Sequence, residues 1–187
     1  MDETLEAHEH AAHAAHAGRK YTALLIAMLA AGLAFCEQGA QHANTKMTET
    51  AVAATDAWAE YQAKSIRANE AKDFAAVATL LPGDAGAAAS LARKFQDDAE
   101  HFEHDPKTGK DAIATMARHL EAERNLAHLK LQSFDNAAAA LQLGIVLITA
   151  SIITGSLALT IGGAALGVIG TVFAVLGLAN PAWGALL

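Results

Sequence analysis

One cysteine, three prolines and two tryptophans occur in 187 residues, and aromatic residues make up only 5% of the chain. A lone cysteine excludes an internal disulfide and any multi-cysteine zinc or iron–sulfur centre. The shortage of aromatics leaves a core of Ala, Leu, Ile and Gly, side chains suited to closely packed helices. Charge is absent from a whole region: the 13 basic and 20 acidic residues all lie between Asp2 and Asp135, so the last 52 residues, Asn136 to Leu187, carry none. With a net charge of −7 and no Lys/Arg-rich block, the chain is not expected to bind nucleic acid, because phosphate binding is mainly electrostatic. A Gly-rich phosphate loop, an HExxH helix and a Ser-His-Asp grouping in turn context are also missing. No enzyme activity and no cofactor are therefore expected.

What is present is hydrophobic: 53% of the residues. The uncharged tail of 52 residues would reach roughly 78 Å as one helix, against a bilayer core of about 30 Å, so it must turn back. Thr154-Gly155-Ser156 is the best turn, separating Ala137 to Ile153 from Leu157 to Leu178. Pro181 would end the last helix and Trp183 would anchor it at the interface. An earlier apolar run, Tyr21 to Cys36, lies between Arg19-Lys20 and Glu37, and extends through Gly39 and Ala40 if Glu37 finds a partner. The alternative for this run is a buried or interfacial helix. The predicted fold class is all-α: an integral membrane protein with three transmembrane helices and a long extramembrane antiparallel helical hairpin. Its predicted parts are a His-rich N-terminal segment (1–20), a first span (21–40), the hairpin (41–135), a second span (136–154), a third span (157–179) and a short tail (180–187). Arg19 and Lys20 favour a cytoplasmic N-terminus, which would put the hairpin in the periplasm of a bacterial inner membrane.

No proline or glycine interrupts Gln41 to Leu81, so the first spanning helix is predicted to continue into water as far as Leu81-Pro82-Gly83-Asp84. A second helix, about Ala87 to His104, would end at Asp105-Pro106-Lys107-Thr108-Gly109, and a third would start near Asp111 and run into the second span. Spacings of three and four residues mark a stripe of Val52, Thr55, Trp58 or Ala59, Gln62 and Ile66 on the ascending helix. Ile113, Met116, Leu120, Arg124 or Ala127, Leu131 and Phe134 mark another on the descending one. Both suit an antiparallel coiled coil. Because so many positions are alanine, the hairpin gains little by burial, and other helices are expected to cover it.

Thr55-Asp56-Ala57-Trp58-Ala59-Glu60-Tyr61-Gln62-Ala63-Lys64-Ser65-Ile66 resembles the core of a bacterial membrane family known as the domain of unknown function 4337 family. The likeness extends to a His-bearing leader, an Ala/Leu-rich span followed by His42-Ala43-Asn44, a charged hairpin, and Phe134 and Gln142 leading into two closing spans. It implies this helical membrane organisation and brings no activity with it. Relatives commonly carry a basic loop between the last two spans, whereas Thr154-Gly155-Ser156 has no charge.

Trp58, Tyr61 or Gln62, and Ser65 fall on one helical face, with Lys64 beside it. They either lock the hairpin together or form a protein contact, a ligand site being the third option. In the third span Gly163, Gly167, Gly170, Ala174 and Gly177 form a small-residue face, which serves either packing within one chain or oligomerisation. Glu9, His13 and His16 could offer a carboxylate and two nitrogens to Zn²⁺, Ni²⁺ or Cu²⁺, but their alanine surroundings supply no supporting hydrogen bonds, and no metal site is expected. His101 and His104, around Glu103, read as a solvated hairpin tip. The expected function is that of a non-enzymatic membrane protein working through helix contacts. It would be a homo-oligomeric scaffold or an accessory subunit of a larger membrane complex, with membrane lipids as its surroundings. The alternative is an oligomeric channel or transport component with Glu37 at the pore mouth, and a metal or pH sensor built on the leader histidines is a third class.

Overall fold

The computed structural model describes residues 2–80 and 82–179, with side chains from Lys20 onward. These residues form four helices and no strand: α1 (Asp2–Ala78), α2 (Ala85–His104), α3 (Lys110–Thr154) and α4 (Leu157–Ala179). The breaks fall where the sequence has proline and glycine. Gly83 takes φ 139° after Pro82, a conformation that L side chains rarely adopt. Asp84 then caps α2 by accepting a hydrogen bond from the Gly86 amide at 2.9 Å. Gly155, at φ 69°, closes α3 with its amide bonded to the Ser151 carbonyl at 2.8 Å. Three of the helices, α1, α3 and α4, contain segments long and apolar enough to cross a membrane. Pro181 and Trp183, together with the rest of the predicted tail 180–187, lie outside the described residues.

The chain divides into two compact units: the described residues through Thr45 with those from Leu126 on, and Lys46–Asn125. The first unit packs three helical segments around Leu29, Cys36, Phe134, Ala137, Leu141 and Ile148. Here α1 and α3 are antiparallel: Gly39 faces Phe134, and Gly32, seven residues earlier, faces Leu141, seven residues later. The interior is small and the exterior large. Gly163, Gly167, Gly170 and Gly177 are buried, whereas Leu24, Met28, Phe35, Leu143, Val146, Ile153, Val168 and Leu178 are exposed. That order inverts the arrangement of a water-soluble core and suits hydrocarbon surroundings. Buried hydroxyls are satisfied locally. Ser133 donates to the Leu129 carbonyl, and Thr160 of α4 donates to Ser151 of α3, which in turn donates to the Ile148 carbonyl.

The second unit is an antiparallel hairpin whose descending arm comes in two pieces. Phe95 of α2 packs on Phe74 of α1 at 5.5 Å between ring centroids, Glu121 of α3 meets Trp58, and Glu123 meets Lys46 at 3.1 Å. Along α1 the buried positions are Thr50, Ala54, Ala57, Ala68, Ala71, Ala75 and Ala78, with half-buried Tyr61 and Lys64 filling the same alternation of four and three residues. On α2 the matching positions are Ala92 and Ala99, and on α3 Ile113 and Ala117. This is a heptad seam made mostly of alanine.

The seam corrects one sequence-based expectation. Of the stripe Val52, Thr55, Trp58 or Ala59, Gln62 and Ile66 expected to face the partner helix, half-buried Trp58 does reach α3, yet Val52, Thr55, Ala59, Gln62 and Ile66 are exposed, Val52 at 57% and Ile66 at 58%. On α3 the exposed Met116 gives way to buried Ala117, while Ile113, Ala127 and Phe134 are buried as the spacing predicts. The physical reason is distance. A methyl side chain lets two helix axes come closest, and the hairpin turns its alanine line inward to gain backbone-to-backbone dispersion contact.

Candidate functional site

Within the Lys46–Asn125 unit, Trp58 is half-buried on α1 and donates its indole N–H to Glu121 Oε1 at 2.9 Å. Tyr61 meets the Trp58 ring edge-on, with centroids 5.5 Å apart. Both rings pack against the small cluster of Ala57, Ile113 and Ala117, with Leu120 beside them. Ser65 is half-buried and Gln62 exposed, so the predicted contact group is divided between the hairpin interior and its outer face. Lys64 folds back over the ring of Phe102 on α2, 5.6 Å from its centroid.

A second grouping forms where the descending arm breaks. Glu103, at the end of α2, takes Lys110 of α3 on one carboxylate oxygen at 2.5 Å and Lys72 of α1 on the other at 2.8 Å. The Lys110 hydrogen bond, reinforced by that from Lys72, lowers the Glu103 carboxyl from its ordinary 4.5 to about 2. The same bond raises Lys110 above its ordinary value. The loop is tied by Asp105, whose Oδ1 accepts from the Thr108 amide at 2.6 Å, the Lys107 amide at 2.9 Å and the Thr108 hydroxyl at 2.9 Å. These bonds, led by the Thr108 amide, hold its carboxyl below the usual range. Gly109 sits against this loop so closely that a Cβ would come within 2.5 Å of the Asp105 nitrogen. Nothing in the sequence singled out the Glu103 clamp, because its three members are 31 and 7 residues apart and each is an ordinary surface type.

The histidines of this region do not converge. His101 approaches Asp105 at 3.6 Å, His104 approaches Asp111 at 2.9 Å, and Glu103 is held by lysines. Among the described residues no group of three or more His, Cys, Asp or Glu could hold a metal. Glu9, His13 and His16 fall where side chains lie outside the described set. Glu37 is exposed on α1, next to buried Cys36.

The glycine face of α4 is taken up inside the chain. A Cβ on Gly163 would stand 2.7 Å from the Gly144 carbonyl oxygen of α3, one on Gly167 would stand 2.6 Å from Leu29 of α1, and one on Gly170 would stand 2.8 Å from Leu141. In the other unit the opposite holds: Val52, Thr55, Ala59, Gln62 and Ile66 continue at the spacing of a coiled-coil line and are exposed among the described residues. Near the α1–α2 turn Phe74, Val77, Leu80 and Leu91 are exposed as well. Among the described residues the arrangement offers exposed apolar helix surface.

No curated protein and no solved structure matches the chain. The family described as Domain of unknown function (DUF4337) matches residues 18–180, from the start of the first apolar segment to the end of α4. With that match running through both units, the chain belongs to the DUF4337 family.

Proposed function

We propose that this protein is an integral membrane protein whose three apolar helices hold the Lys46–Asn125 unit outside the bilayer, where it works without catalysis, through helix contacts. It serves as a homo-oligomeric scaffold or as an accessory subunit of a larger membrane complex. In this reading the N-terminus is cytoplasmic and the Lys46–Asn125 unit lies in the periplasm of a bacterial inner membrane.

The observation that carries the proposal is the uncovered line Val52–Thr55–Ala59–Gln62–Ile66 on α1, parallel to the alanine seam. A helix with two heptad lines is built to touch two neighbours, and this hairpin supplies one. Each alanine adds roughly one methyl of burial, on the order of 0.8 kcal/mol, so covering Val52 and Ile66 adds stabilisation that the seam lacks. The α4 glycine face does not support the proposal, being filled by α3 and α1 of the same chain.

Native mass spectrometry of the protein extracted from its own membranes in mild detergent tests this reading, comparing wild type with Val52→Asp/Ile66→Asp. Both positions are exposed, so the variant should keep its helix content and lose its self-associated form or its foreign subunit. A variant with the assembly of the wild type would refute the contact role. Sidedness is read by adding Asp84→Cys or Ser156→Cys and applying a membrane-impermeant maleimide to intact cells stripped of outer membrane. Cys36, 1% exposed, stays silent, and Asp84→Cys should label while Ser156→Cys does not.

A further inference from the structure

We infer that the second neighbour of α1 in the Lys46–Asn125 unit is the same helix of a second copy, paired in parallel and in register along Val52, Thr55, Ala59, Gln62, Ile66 and Asn69. The inference rests on the membrane and contact reading above and chooses between its two partners. Asn69, also exposed, extends the line by one more step of three, and the six positions span about 26 Å of helix. Copies inserted in one membrane share an orientation, so their α1 helices meet in parallel. A two-fold axis between them sets each residue of the line against itself.

Charge distinguishes the two partners. Between Val52 and Asn69 ten residues of α1 are exposed. The six on the line are all uncharged, whereas of the four off it, Asp56, Glu60, Ala63 and Arg67, three are charged. On a two-fold axis a charge meets its own copy, like against like, while a foreign helix can carry the opposite charge and gain from it. A line cleared of charge within a charged surface is what self-pairing requires and what a foreign helix does not. The polar residues on the line fit the same axis. Gln62 and Asn69, one heptad apart, each carry an amide that both donates and accepts, so each is complementary to its own copy. Such a residue at a core position fixes register in parallel coiled coils. The Thr55 hydroxyl already donates to the Ala51 carbonyl at 2.9 Å. The next position on the line is Asp73, its first charge, and there the pairing ends.

The test is disulfide cross-linking of the full-length protein in isolated membranes treated with a mild oxidant. Cys36, 1% exposed, stays out of the reaction. Gln62→Cys and Asn69→Cys should each give a species of twice the subunit mass, several-fold more than Glu60→Cys and Arg67→Cys, which are exposed but off the axis. Adding Val52→Asp/Ile66→Asp should abolish the Gln62→Cys cross-link. Adding Asp73→Asn, which removes the charge that ends the line, should raise the yield at Asn69→Cys. Equal yields at the four cysteine positions would mean chance collision and overturn the pairing. Missing cross-links in a protein whose native assembly is still lost in Val52→Asp/Ile66→Asp would give the line to a foreign subunit, overturning this inference and leaving the contact reading in place. An assembly untouched by Val52→Asp/Ile66→Asp would defeat both.

Discussion

Trp58 and Glu121 are 63 residues apart and joined by a hydrogen bond of 2.9 Å, the indole N–H donating to a carboxylate oxygen across the hairpin. The bond fixes which turn of α3 stands beside Trp58. An alanine seam specifies register weakly, because one methyl resembles the next, so a polar pair beside it holds the two arms from sliding by a heptad. Trp58→Phe keeps the ring and removes the donor, and should cost about 1 kcal/mol in chemical unfolding followed by circular dichroism. Trp58→Ala also removes the half-buried ring and should cost about 2 kcal/mol or more. Equal losses in the two variants would show that the hydrogen bond, and not packing, is the whole contribution of Trp58.

Two adjacent glycines on α4 should respond in opposite ways. Gly163→Ala would force a methyl to 2.5 Å from Ile148 Cγ1 and 2.7 Å from the Gly144 carbonyl, and should destabilise the first unit by roughly 2 kcal/mol. At Gly162 the nearest contact would be Leu147 Cδ1 at 3.7 Å, so Gly162→Ala should be neutral or stabilising by up to about 1 kcal/mol through helix propensity. Thermal aggregation of the two variants in one detergent gives the comparison.

The Glu103 clamp predicts a defined pH window. Its carboxyl is lowered from 4.5 to about 2 in the folded protein, so its contribution is present above the unfolded value and lost as pH falls from about 4.5 through 2. Lys110 is raised, so its contribution is present below its ordinary 10.5 and lost as pH rises beyond that. Glu103→Gln should lower stability on the order of 1 kcal/mol at pH 7, and the difference from wild type should shrink toward pH 2. A difference that is the same at both ends of this range would assign the effect to shape instead of charge.

At the break between α2 and α3, Gly109→Ala should be more damaging than Asp105→Asn. The alanine Cβ would meet backbone atoms of Asp105 at 2.5 and 2.7 Å, which cannot move without opening the loop. Asparagine still accepts the Thr108 and Lys107 amides, with weaker, uncharged bonds. Amide hydrogen exchange at Lys107 and Thr108 should rise modestly in Asp105→Asn and fully in Gly109→Ala.

Much of the architecture was legible from composition and punctuation alone. Pro82-Gly83, Asp105-Pro106 and Gly155 mark the three breaks, since proline cannot continue the hydrogen-bond ladder and glycine alone takes positive φ without strain. The long apolar runs mark the segments able to cross a membrane, because length and hydropathy are local properties. The choice of buried face on α1 was decided only in three dimensions. Val52 and Ile66 outrank Ala54, Ala57 and Ala68 in hydrophobicity, and periodicity therefore points to the wrong side, while the hairpin closes on the alanines because small side chains permit the nearest approach. The role of the α4 glycines was decided in the same way: a small-residue face reads alike whether a neighbour in the chain or a second copy will cover it. The tertiary structure fills it with Gly144, Leu29 and Leu141, because three helices of one chain already place those groups within reach.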